Sequence, residues 1–139
     1  MTYYLNYDGK KVDFEIPSGW NVLSCRDCAK VPAAEDVPGV IERALDNPIG
    51  SPPLEKLARP GMKVALLFDD MQRVTPCDLA IPAVLNRLNK AGVPDERVTA
   101  ICARGTHPKP SQEQIEKKVG KEVLRRLHGR IEVHDSQSS

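Results

Sequence analysis

Residues 63–76 read KVALLFDDMQRVTP, and the first six of them decide the fold. After Lys63 comes an unbroken apolar run of strand length, Val64 to Phe68, closed by Asp69 and Asp70. A strand with one wet face alternates apolar and polar residues, so an unbroken run suits a strand buried on both faces, as in parallel sheets. Downstream, PCDLAIPAVLNRLNKAG (76–92) carries apolar residues at 79, 81, 84, 85 and 88 and ends in glycine, which predicts a helix with a glycine stop and Pro82 near its first turns. RVTAICA (97–103) is a second buried strand. SQEQIEKKVGKEVLRRL (111–127) is a second helix, with Ser111 and Gln114 spaced as a capping box, and RIEVHD (130–135) is a third short strand. Strand, helix, strand, helix, strand gives an α/β fold: a Rossmann-like parallel sheet with right-handed crossovers and covering helices.

Upstream the pattern is different. TYYLNY (2–7) and KVDFEI (11–16) flank Asp8-Gly9, and an Asp-Gly pair between β-prone runs predicts an N-terminal β-hairpin. Residues 17–38 are rich in turn formers. VPGVIERALDNP then places apolar residues at 37, 40, 41, 44 and 45, a short amphipathic helix that Asn47-Pro48 ends. IGSPPLEKLARPGM (49–62) has room for one further helical turn after its prolines. The expected organisation is one domain over 1–139, with a hairpin and helical lead-in over 1–60 and the βαβαβ unit over 61–135.

The totals exclude several function classes. The 20 Lys and Arg residues balance 19 Asp and Glu, and a net charge of +1 leaves no electrostatic footprint for nucleic acid or an anionic membrane surface. No apolar stretch approaches the length of a membrane span, and MTYYLNYDGKK lacks the layout of a signal peptide, so a cytoplasmic location is expected. Four cysteines in such a chain are expected to be thiols. Cys25-Arg-Asp-Cys28 has the spacing of half a zinc site or a redox dithiol, but Cys77 and Cys102 do not form a second such pair. Loop cysteines are the simpler reading, and no metal ligand is assigned.

In open parallel sheets, ligands bind beyond the carboxyl ends of the strands. Those ends carry Asp69 to Pro76, Gly105-Thr106-His107-Pro108-Lys109 and His134-Asp135, and parallel strands would bring all three to one rim. Arg73 suits a carboxylate or phosphate, Asp70 accepts hydrogen bonds from a ribose or orients a cation, and His107 carries an imidazole, a group that can move a proton. The plainer alternative is a set of solvated loop residues, with Thr75-Pro76 simply starting a helix. His134 is equally well read as a strand-end residue paired with Asp135, and His128 as a favourable charge at a helix C-terminus. Asp69 is read as loop structure.

Tyr7-Asp8-Gly9-Lys10, the run Ala44-Leu45-Asp46-Asn47-Pro48-Ile49-Gly50-Ser51-Pro52-Pro53-Leu54, Asp70 to Pro76, Gly92-Val93, Gly105-Thr106-His107, Gly120 and His134-Asp135 together resemble, in order, the N-terminal part of the lactate racemase family that uses a nickel-pincer nucleotide. The resemblance implies a racemase or epimerase of a small 2-hydroxy acid. In that mechanism a histidine removes the hydroxyl proton while the α-hydrogen leaves as hydride to the pyridinium of the cofactor, a Ni(II)-pyridinium-3,5-bisthiocarboxylate mononucleotide. It implies that His107 is one of two acid/base histidines and that Asp70, Met71, Gln72 and Arg73 touch the cofactor. Threonine is usual in the family where this chain has Gln72, and arginine where it has Pro108, which leaves the identity of the hydroxy acid open. The family's second acid/base histidine, cofactor-bearing lysine and nickel-ligating histidine are expected beyond residue 139, on a C-terminal part that would be this chain's partner. Without it the chain is expected neither to retain the cofactor nor to turn over substrate, and its uncovered apolar surface would favour a homo-oligomer.

Overall fold

The computed structural model describes residues 2–24 and 31–136. Cys25 and Cys28 lie outside them. The chain divides into two compact units, residues 1–33 and 34–139. The helices between 34 and 60 fall in the second unit, where they pack on a helix.

The first unit contains the hairpin. β1 (Thr2–Tyr7) and β2 (Lys10–Glu15) run antiparallel, with Tyr3 opposite Phe14 and Tyr7 opposite Lys10. Asp8 and Gly9 turn the chain with φ of 49° and 71°, the paired left-handed conformations of a tight hairpin turn. The Tyr3 and Phe14 rings lie 6.0 Å apart, and the Lys11 ammonium sits 3.9 Å above the Tyr4 ring.

The second unit holds α1 (Val37–Asp46), α2 (Leu54–Leu57), β3 (Val64–Asp69), α3 (Cys77–Lys90), β4 (Val98–Ala103), α4 (Gln112–Leu127) and β5 (Ile131–Val133). Asp36 caps α1 by accepting the Gly39 N–H at 2.9 Å, and the Asn47 amide closes the other end on the Arg43 carbonyl. α3 buries Cys77, Ile81, Leu85 and Leu88, a stripe at near-four-residue spacing, and ends in a Schellman turn in which Gly92 N–H binds the Asn89 carbonyl and Val93 N–H the Leu88 carbonyl. Pro82 sits inside this helix.

The parallel sheet has the order β3-β4-β5. Two crossovers of one hand, stepping in one direction, put α3 and α4 on the same face, where they pack on each other. Phe68, Val98, Ala100 and Cys102 line that face under Ile115, Val119, Val123 and Leu127 of α4. The expectation that the Val64–Phe68 run is buried on both faces is therefore corrected. Ala65 and Leu67 point away from the helices, and Leu67 is 66% exposed. Among the described residues of the second unit, β3 is an edge strand with helices on one side only.

α4 differs in a second way from its sequence reading. The capping box forms as expected, with Gln114 N–H on Ser111 Oγ at 3.2 Å and Ser111 N–H on Gln114 Oε1 at 2.8 Å. Gly120, however, has φ 80° and ψ 159°, so the helix breaks there and resumes. A Cβ at Gly120 would stand 3.2 Å from Asp78 Cβ at the start of α3. Backbone freedom and close approach both call for glycine at this point. His128 follows as the C-cap in a left-handed conformation.

Two arginines, Arg87 buried and Arg126 partly buried, tie the helices together. Arg87 of α3 binds Asp46 at 2.5 Å, Glu55 at 2.9 Å and Glu42, joining α1 and α2 to α3. Arg126 of α4 binds Asp95 at 2.8 Å, Asn86 at 2.8 Å and Asn89 at 2.9 Å. Arg130 binds the carbonyls of Asp95 and Val98 and holds the start of β5 against β4.

Candidate active site

β3 and β4 run in parallel register with Asp69 opposite Ala103, so the next residues on each strand, Asp70 and Arg104, leave the sheet side by side. The chain after β3 turns at once. Asp70 Oδ1 accepts the Gln72 N–H at 3.2 Å and the Asp70 carbonyl accepts the Arg73 N–H at 3.2 Å. This Asp-headed turn is a local preference of the DDMQR sequence. After β4 the chain turns as well, with His107 N–H on the Arg104 carbonyl at 3.1 Å. The two turns meet where His107 Nδ1 contacts Asp70 Oδ2.

The Asp70 side chain is 9% exposed and the His107 side chain 45%. The hydrogen bond from His107 holds the Asp70 carboxyl below the ordinary carboxylate range against the opposing effect of burial, helped by the Gln72 N–H and by the charges of His107 and Arg73. Asp70 is therefore ionised at neutral pH.

Arg104 secures the histidine loop. Its guanidinium donates to the carbonyl of His107, to the carbonyl of His134 at 2.8 Å and to Asp135 Oδ1 at 2.9 Å. The end of β4 is thus tied to the end of β5, where His134 N–H binds the Cys102 carbonyl. Lys118 does the equivalent work for the first loop. Its ammonium, 7% exposed at the side chain, meets Asp69 Oδ1 at 2.8 Å, the Arg73 carbonyl at 2.8 Å and the Thr75 carbonyl at 3.3 Å. Burial pushes the Asp69 carboxyl up, but hydrogen bonds from Lys118, Thr75 and Cys77 outweigh it and hold the group below the usual range. Burial and the neighbouring Asp69 push the Cys77 thiol up to about 11.

Between the first loop and α4 lies an open cleft of about 460 Å³ lined by Met71, Arg73, Thr75, Gln114, Lys117 and Lys118, and no residue of the histidine loop is in that lining. The Arg73 and Lys117 side chains are exposed on it, and Met71 packs its base against the core. Gln72 is exposed outside that lining. Among the described residues no group of three His, Cys, Asp or Glu side chains is arranged to hold a metal ion.

A family model described as "Lactate racemase N-terminal domain" matches residues 7–139. The chain belongs to the lactate racemase N-terminal domain family. Within it, a lactate racemase of Lactiplantibacillus plantarum is 34% identical over 84 residues, 60% of this chain and 20% of that protein. A lactate racemase of Thermoanaerobacterium thermosaccharolyticum is 27% identical over 100 residues, 72% of this chain and 23% of that protein. The solved apoprotein of lactate racemase from T. thermosaccharolyticum superposes with a TM-score of 0.68 at 22% identity, covering 99% of this chain and 31% of that one. The racemase-domain fold is thereby shared, and the chain spans about a fifth to a third of the length of these relatives.

Asp70 and His107 were singled out from the sequence, and the structure brings them into contact. Arg104 and Lys118 were not singled out. Lys118 could have been found from its place four residues after Gln114, on the helical turn facing the rim, and Arg104 from being the first residue past a buried strand.

Proposed function

We propose that this chain forms the N-terminal part, over 1–139, of a 2-hydroxy-acid racemase or epimerase in which His107 moves the hydroxyl proton of the substrate. The observation that supports it most is the half-exposed His107 ring at the carboxyl rim of a parallel sheet, held against an ionised carboxylate within a chain of the lactate racemase N-terminal family. A histidine titrates in the range where such a group both takes and returns a proton. Arg73 places a guanidinium on the same rim, suited to the carboxylate of a hydroxy acid or the phosphate of a nucleotide.

The residues fit one end of a nickel-pincer nucleotide. Arg73 and Lys117 offer cations to its phosphate beside Met71, whereas nickel would need ligands other than the described residues. When bound, that cofactor supplies the hydride acceptor and donor. The chain's own share is to anchor the anion through Arg73, carry the proton on His107 and wall the cleft with Met71 and Lys118. The rest of the catalytic set is assigned to polypeptide outside these residues, in keeping with the greater length of the relatives, so the chain alone is proposed to be inactive.

The test joins this chain to the C-terminal part and cofactor of a relative and follows deuterium exchange at the α-carbon of several 2-hydroxy acids. His107→Ala is expected to slow exchange by roughly 10²–10⁴-fold, the usual weight of a general acid/base. Unchanged exchange would refute the assignment. A second reading, a non-catalytic module for a nucleotide or small anion, is favoured by the Arg73, Lys117 and Lys118 lining of the cleft. Nucleotide binding that is lost in Arg73→Ala, with no exchange in any assembled system, would support it.

A further inference from the structure

We infer that Asp70 is a positioning residue that holds the His107 ring by Nδ1, so that Nε2 is the nitrogen that faces the reactant. This rests on His107 acting as the acid/base, and it differs from reading Asp70 as a contact to a ribose or a cation. The geometry gives both carboxylate oxygens internal work: Oδ2 lies on His107 Nδ1 and Oδ1 accepts the Gln72 N–H at 3.2 Å. With only 9% of its side chain exposed, Asp70 has little surface to offer a ligand.

An ionised carboxylate only accepts hydrogen bonds, so the nitrogen facing it must carry a hydrogen. Neutral His107 is then the Nδ1–H tautomer, and its Nε2 lone pair is left as the base. The His107 side chain is 45% exposed although Nδ1 sits against a buried partner, so the carboxylate covers one edge of the ring while the side chain as a whole stays open to solvent. The backbone is fixed independently, because Arg104 binds the His107 carbonyl while held by the His134 carbonyl and Asp135. Both the ring and its peptide are thus anchored before any reactant arrives, which is how a proton-transfer group is kept in the right tautomer and direction.

Asp70→Asn is the informative variant. Its oxygen can still accept the Gln72 N–H while its amide N–H₂ turns to the ring, a donor that requires Nδ1 to be unprotonated. The measurement is the two-bond ¹H–¹⁵N correlation of the imidazole in the ¹⁵N-labelled chain, recorded above the histidine titration and assigned with His107→Gln. The native chain is expected to show Nδ1–H, and Asp70→Asn to show Nε2–H. In the system assembled with the C-terminal part, Asp70→Asn is expected to slow α-deuterium exchange by roughly 10²–10⁴-fold, since a wrong tautomer costs about as much as a lost base. A native Nε2–H tautomer overturns the inference and needs no variant to fold. So does an Asp70→Asn chain that keeps Nδ1–H, or one that changes tautomer with exchange intact. If His107→Ala leaves exchange unchanged while the tautomer switches as expected, the acid/base reading has failed rather than the positioning.

Discussion

Replacing Gly120 by alanine distinguishes a continuous α4 from a broken one by the sign of its effect. In a regular helix alanine is favoured over glycine by ~1 kcal/mol, so an unbroken helix over 111–127 would be stabilised. Gly120 instead occupies φ 80° and ψ 159°, a region that is essentially glycine's alone. Holding another residue there costs on the order of 1–3 kcal/mol. The new Cβ would stand 3.2 Å from Asp78 Cβ and 3.8 Å from its Cα, so the first turn of α3 must give way slightly. We expect a destabilisation of ~2 kcal/mol. With a urea m-value of ~1.5 kcal/mol/M, the denaturation midpoint falls by ~1.3 M. Lys118 lies two residues before the break and holds the Arg73 and Thr75 carbonyls, so amide resonances around those residues should shift as well. A raised midpoint, or an unchanged one with those resonances in place, would refute the reasoning.

Asp95 supports a prediction whose size depends on pH. The Arg126 guanidinium holds its carboxyl below the ordinary range against burial, so its contribution is present in full above the unfolded value near pH 4 and is lost as pH falls through the lower folded value. Asp95→Asn should therefore cost ~1–2 kcal/mol at pH 7 and much less at pH 2, measured by urea titration at both. Equal losses at the two pH values would contradict it. Cys77 and Cys102 are buried, and burial pushes both thiols up, Cys77 to about 11. Native chain treated with iodoacetamide at pH 8 should leave both unmodified by mass spectrometry until denaturant is added; rapid labelling of either would show that the interior face of β4 or the start of α3 opens readily.

Local signals and the parallel strand-helix alternation were legible in this sequence; the coverage of each strand face and the long-range side-chain pairings were not. Asp8-Gly9, the Ser111 and Gln114 box and the Asn47-Pro48 stop each act over a few residues, and each element formed where it was expected. The break at Gly120 was hidden because Ile115, Val119, Val123 and Leu127 keep a four-residue spacing straight through it, so the pattern of burial survives a change of backbone. The open face of β3 was hidden because an apolar run reports that a strand is suited to burial, not how many faces this chain covers; that depends on strand order and on which side each crossover lies. At the rim, the residue types of Asp70 and His107 were readable. Their pairing across 37 positions was not, because it depends on the β3–β4 register. Arg104 and Lys118 were missed for a similar reason. Their partners are 31 and 45 residues away in the cases of Asp135 and the Arg73 carbonyl.

The in-step register of β3 and β4 has a practical consequence for altering the molecule. Asp70 and Arg104 are the first residues off the sheet, and they hold the histidine from two sides, so its position is referred to the rigid layer rather than to the outer parts of the loops. Gln72 and Pro108 sit farther out on those loops, where exchanging residues does not require moving the strand ends. Exchanging the side chains at these two positions should thus leave the contacts among Asp70, His107 and Arg104 in place, so that the outer loops can be varied apart from the layer that holds the histidine.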